Sequence, residues 1–153
     1  MEEDNILIKK FFNLPEEFNF NFIGEILEKT NCNSNISSNF IHERIFDSVF
    51  QIRKVEEFYL FKDIFNILQN RFNPNNKEAN IDIFFSFVSG GRSIAHADIE
   101  DVCIFGLLGK TVYLINNKEY TVDVGDLLRI PKGTIHKAIG LSPRIIGSYG
   151  IYG

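Results

Sequence analysis

The spacing of apolar residues changes period near residue 80. Upstream, Phe22, Ile23, Ile26 and Leu27 recur at helical spacing behind Asn21, a residue type suited to the N-cap, and predict a short amphipathic helix. Val55, Phe58, Phe61, Ile64, Phe65 and Leu68 share one face of a second predicted helix, which ends before Asn73-Pro74 because a residue preceding proline is pushed out of the α region. Two polar stretches, 31–39 and 73–80, separate these segments from one another and from the C-terminal half. From Ile81 onward, short runs of β-branched and aromatic residues are punctuated by Gly, Asn or Pro, an all-β texture. Strands are expected at 81–88, 94–98, 102–107, 111–115, 119–124, 127–130, 135–139 and 144–149, with Asn116-Asn117 and Gly125-Asp126 supplying turns. Eight strands fit a closed jelly-roll barrel. The expectation is one mainly β domain over 1–153, with an α-rich extension (1–80) packed on a barrel core (81–153).

Composition narrows the partners. Apolar residues make up 44% of the chain and 16 residues are Phe, which suits a globular core. A formal charge of −4 without a basic run argues against a nucleic-acid or anionic-membrane surface, since phosphate binding needs clustered Lys and Arg. A small-molecule or protein substrate is the expectation. Cys32 and Cys103 form no CxxC pair, which gives no sign of a disulfide framework or a zinc knuckle. With no apolar stretch of signal-peptide or membrane-spanning length, the chain reads as cytoplasmic.

Candidate chemistry rests on two of the three histidines. His96-Ala97-Asp98 falls in a predicted strand, where residues two apart project from one face, so both side chains can reach one ion. His136, in another predicted strand, can complete a set of two imidazoles and one carboxylate. Such a triad leaves coordination positions open and is the arrangement expected for non-haem Fe(II). An H-x-D triplet alone is better read as packed, hydrogen-bonded core. His42 has no partner at ligand spacing and is read as structural.

The surroundings decide in favour of ligands. The segment from Gly125 to His136, with Pro131 and Gly133 between, resembles the second cupin motif, G-x5-P-x-G-x2-H, and Gly90 stands before His96 as the first motif, G-x5-H, requires. Physically, Gly125 permits the hairpin, while Pro131 and Gly133 shape a tight loop that aims His136 into the barrel. The commonest cupins carry H-x-H followed by a glutamate; here Asp98 takes the second slot and Val102-Cys103 the glutamate region. With Asp101 and Gly109-Lys110, the stretch Ser89 to Ile115 is similar to JmjC-type, cupin-like hydroxylases, a resemblance covering roughly the C-terminal half.

That resemblance implies a double-stranded β-helix in which Fe(II), or another divalent metal, sits on His96, Asp98 and His136, chelates 2-oxoglutarate and activates oxygen against a substrate C–H bond. It places Ser93 near the co-substrate. It also expects a Lys or Arg where this chain has Thr111, a cation that anchors the far carboxylate of 2-oxoglutarate; Arg129, Lys137 and Arg144 are the available replacements. Lys110 and Lys137 are each one residue out of phase with the interior face. Tyr113 shares parity with Thr111, and Tyr149 is a second candidate for the interior, though packing explains either. Glu100 and Asp101 read as a solvated loop pair and Cys103 as a small buried hydrophobe. A homodimer is implied by analogy only. The competing reading is a metal-dependent cupin, enzyme or ligand-binding module, that does not use 2-oxoglutarate.

Overall fold

The computed structural model describes residues 6–29, 33–34, 49–88 and 95–152. Two antiparallel sheets face each other, and a helical layer covers the outer face of the larger one. Among the described residues the larger sheet contains β1 (Ile6–Ile8), β2 (Asn33–Ser34), β3 (Phe50–Arg53), β4 (Ala79–Ser86), β5 (Asp101–Leu108), β8 (Leu127–Ile130) and β10 (Arg144–Ile151) in the order β1-β8-β5-β10-β4-β3-β2. The smaller sheet has the order β7-β6-β9, from β6 (Thr111–Ile115), β7 (Lys118–Val122) and β9 (His136–Gly140). This mainly β, cupin-like sandwich is the fold class expected from the sequence. Asn116 and Asn117 take positive φ in the β6–β7 turn, as the hairpin requires.

Strand parity divides two cores. On the outer face of the larger sheet, Ile81, Ile83, Phe85, Phe105 and Tyr149 pack against Phe22 and Ile26 of α1 (Asn21–Lys29) and against Ile64 and Leu68 of α2 (Lys62–Phe72). Edge-on phenylalanine pairs fill this layer, such as Phe18–Phe22 at 5.4 Å and Phe12–Phe105 at 5.5 Å. Between the sheets, Val102, Ile104, Ile115, Val122, Leu128, Ile130 and Ile146 form the second core. One end of that space remains open as a cavity.

Several expectations change. The second helix begins at Lys62 after a 3-10 turn (Tyr59–Phe61); Val55 and Phe58 are buried ahead of it, not on it. The Asn19 carboxamide oxygen accepts the Asn21 N–H at 2.8 Å, so capping falls to Asn19 rather than Asn21. Residues before 80 contribute β1, β2 and β3 as well as helices, strands too short to show a period. No extended ladder forms over the expected strand 94–98: within its described part only His96 bridges, to His136. No helix among the described residues is long and apolar enough to cross a membrane.

Candidate metal centre

The site is assembled by one backbone pair and one turn. His96 and His136 exchange both backbone hydrogen bonds, N–H to O at 2.9 and 2.8 Å, making them an antiparallel pair whose side chains stand on one face. Their rings lie 4.5 Å apart at 57°. Asp98 occupies a loop, not a strand, and is held by the cupin-like turn. Gly133, at φ +80°, donates its N–H to the Asp98 carbonyl at 2.9 Å, and the Lys132 N–H donates to Asp101 Oδ1 at 2.8 Å. Only a residue tolerant of positive φ delivers that contact. Asp101 thus anchors the loop and pairs with Arg129 at 3.9 Å.

The three side chains converge. Asp98 Oδ1 lies 3.6 Å from His96 Nε2, and Asp98 Oδ2 lies 3.4 Å from His136 Nε2, with all three ligand atoms within 4.8 Å of one another. Neighbouring donors on an ion with bonds of roughly 2.1 Å stand about 3 Å apart, so small side-chain adjustments fit the set to one ion. The Thr134 carbonyl lies 2.9 Å from His136 Nδ1; a proton on Nδ1 satisfies it and turns the Nε2 lone pair toward the cluster. His136 is buried, Asp98 half-buried and His96 exposed.

The cluster borders a cavity of about 480 Å³ between the sheets. On the small-sheet side Thr111, Tyr113 and Ala138 line it; on the large-sheet side lie Asn80, Asp82, Ile104, Arg144, Ile146 and Ser148. Arg144 is buried, and its Nη1 donates to the carbonyls of Val88 at 3.0 Å and Ser142 at 3.2 Å. Burial lowers the pKa of its guanidinium and Tyr113 opposes that shift. Burial also raises the pKa of the Tyr113 hydroxyl, with Arg144 pulling it down and Asp98 pushing it up, so the hydroxyl lies within range of both charges. Thr111 Oγ1 and Asn80 Oδ1 are buried without a hydrogen-bond partner among the described residues. Glu100 lines the same space, and burial, then Asp98 and Asp82, push its carboxyl pKa upward.

Of the co-substrate candidates read from the sequence, Thr111 and Tyr113 border the cavity. Arg129 does not. Its Cα pairs with Cys103 on the outer face of the large sheet, where the side chain meets Asp101. Tyr149 also points outward, its hydroxyl donating to Gln69 Oε1 of α2. Ser93 lies outside the described residues, as do Gly90, Cys32 and His42. Sequence reading missed the polar wall of Asn80, Asp82 and Glu100. The signal was present as polar residues alternating with Ile81 and Ile83, a pattern that ordinarily marks a solvent face.

The fold and site together define a cupin-like double-stranded β-helix with a two-His, one-carboxylate cluster at its open end. Among solved structures, the ribosomal oxygenase YcfD from Escherichia coli superimposes with a TM-score of 0.80 at 16% identity over 99% of this chain. Its complexes with cobalt and succinic acid (TM-score 0.79, 17% identity) and with cobalt and 2-oxoglutarate (0.78, 18% identity) each align over 97% of the chain. The chain spans about half the length of those proteins, 48 to 50%. At this identity the likeness concerns the fold. No protein-family model matches the chain, and no curated protein matches it by sequence.

Proposed function

We propose that the chain is a metal-dependent oxygenase that holds a divalent ion, Fe(II) in the active form, on His96, Asp98 and His136 and uses 2-oxoglutarate as co-substrate. The observation that carries this reading is the convergence of two imidazoles and one carboxylate, within 4.8 Å, on the edge of a 480 Å³ cavity. Three protein ligands leave open positions on the metal, and the cavity is large enough for a small co-substrate beside them. Bound there, the metal would supply redox activation of oxygen; the protein's own groups position and shield. The Thr134 carbonyl orients the His136 ring through Nδ1, the Gly133 N–H holds the Asp98 backbone at its carbonyl, and Ile104 and Ile146 give the cavity an apolar floor. The YcfD complexes with cobalt and 2-oxoglutarate lend support from the same fold. The substrate, small molecule or protein side chain, would enter along the wall of Asn80, Asp82 and Glu100.

A second reading, a metal cupin that ignores 2-oxoglutarate, is favoured by Thr111 standing where the hydroxylase resemblance expects a cation. Anaerobic loading with Fe(II) and 2-oxoglutarate, followed by oxygen, separates the two. Succinate released without added substrate, and absent in Asp98→Ala, is the expected result. Metal bound but no succinate would favour the second reading.

A further inference from the structure

We infer that the ring of Tyr113 is the site at which this protein hydroxylates itself, to a catechol, when the 2-oxo acid is consumed without a substrate. The inference rests on the reading proposed above and follows the oxygen atom that such turnover leaves over. Dioxygen accepts four electrons on full reduction, and oxidative decarboxylation of a 2-oxo acid supplies two of them. A substrate C–H bond ordinarily supplies the rest. With no substrate and no outside reductant, they come from whichever group beside the metal gives them up most readily. Strand register places Tyr113 there. Its Cα partner on β9 is Ala138, while His136 pairs with Ile115, so Tyr113 and His136 are diagonal neighbours on one face of the smaller sheet. Diagonal neighbours stand about 7–8 Å apart, within reach of an aromatic side chain. Tyr113 is buried and borders the same cavity as His96, Asp98 and His136.

The other walls offer poorer targets. Among the described residues no Cys, Met or Trp lines the cavity, and Cys and Met are where protein oxidation ordinarily falls. Ile104 and Ile146 present aliphatic C–H bonds and Phe84 an unactivated ring, all from the facing sheet. Tyr152 lies past the end of β10, where its N–H donates to the Glu78 carbonyl at 2.8 Å. The Tyr113 hydroxyl feeds electron density to its ortho carbons, which makes this ring the readiest donor on the metal-bearing sheet. The step balances: dioxygen and 2-oxoglutarate give carbon dioxide and succinate, one oxygen atom entering the new succinate carboxylate and the other the ring. At the ring a C–O bond replaces an ortho C–H bond, the ring gives up two electrons, and the proton it releases balances the one on the new hydroxyl. Burial also shields this ring from oxidants that diffuse through solvent. Tyr59, 59% exposed, meets those first.

The test is turnover of the Fe(II)-loaded protein with 2-oxoglutarate and isotopically labelled dioxygen, without substrate or reductant, followed by tryptic peptide mass spectrometry. Cleavage after Lys110 and Lys118 isolates Thr111–Lys118, a peptide with one tyrosine and no Cys, Met, Trp, Phe or His. It is expected to gain one labelled oxygen atom, placed on Tyr113 by fragment ions, in about tenfold or greater yield over the Val55–Lys62 peptide that carries Tyr59. Asp98→Ala should abolish the label, and in Tyr113→Phe the same peptide should carry about tenfold less of it. Four results, each with succinate formed, overturn the self-hydroxylation and leave the proposed oxygenase standing: Tyr113 unmodified, Tyr59 labelled as heavily, label undiminished in Tyr113→Phe, or label persisting in Asp98→Ala. Neither succinate nor label in wild type overturns both.

Discussion

The imidazole of His136 is held by its two backbone bonds to His96 and by the Thr134 carbonyl at Nδ1, which leaves Nε2 as the group presented to the cluster. With the Nδ1 proton donated to that carbonyl, the Nε2 lone pair would face a bound metal with little reorientation of the ring. Cys103 illustrates the opposite environment. Burial pushes its thiol up to about 12, Arg129 pulling down and Asp101 pushing up, so at mildly alkaline pH it is a packed thiol and not a nucleophile. Iodoacetamide treatment of the native protein, read by peptide mass spectrometry, is expected to leave Cys103 unmodified until denaturant is added; labelling of Cys103 in the native state would contradict its placement. The histidines and Asp98 were legible in the sequence because the Gly125 to His136 spacing ties a histidine to a turn. That Arg144 lines the cavity was less legible, because β10 is buried on both faces, against the helices and against the smaller sheet, so polarity does not mark its inward side.

At the scale of elements, Asp126 joins β1 to the barrel. Its carboxylate accepts the backbone N–H groups of Lys10 at 2.9 Å and Asp123 at 2.8 Å and pairs with Lys9, while Gly125, at φ +88°, forms the turn beside it. Burial works against ionisation of Asp126, but the Lys9 contact and the two backbone donors outweigh it, leaving the pKa below its ordinary value. The stabilisation from Asp126 is therefore present above the usual carboxylate range and is lost as pH falls through the lowered pKa. Asp126→Asn is expected to cost about 2 kcal/mol at neutral pH in urea unfolding, with the gap to wild type closing in acid. A gap that stays constant into acid would contradict the ionised role. The Gly125-Asp126 turn itself was legible, since glycine is what permits it. The attachment of β1 was not, because a three-residue strand carries no period and its docking depends on a carboxylate far along the chain.

For the molecule as a whole, the sequence conveyed the class of fold and the open end of the barrel, because turn residues and motif spacing are local signals. It conveyed less about the large sheet, whose seven described strands include pieces from the N-terminal half, and about the polar wall, which alternation assigns to solvent until the second sheet is seen to face it. The cluster of His96, Asp98 and His136 at one end of the cavity carries the proposed chemistry, and all of that chemistry depends on its holding a metal. The most direct measurement is therefore a Co(II) titration followed by visible absorption, on wild type and on Asp98→Ala and His136→Ala. One ion per chain in wild type, with affinity reduced by about 100-fold or more in both variants, is the predicted result. Absence of Co(II) binding in wild type, or stoichiometric binding unchanged by both substitutions, would contradict it.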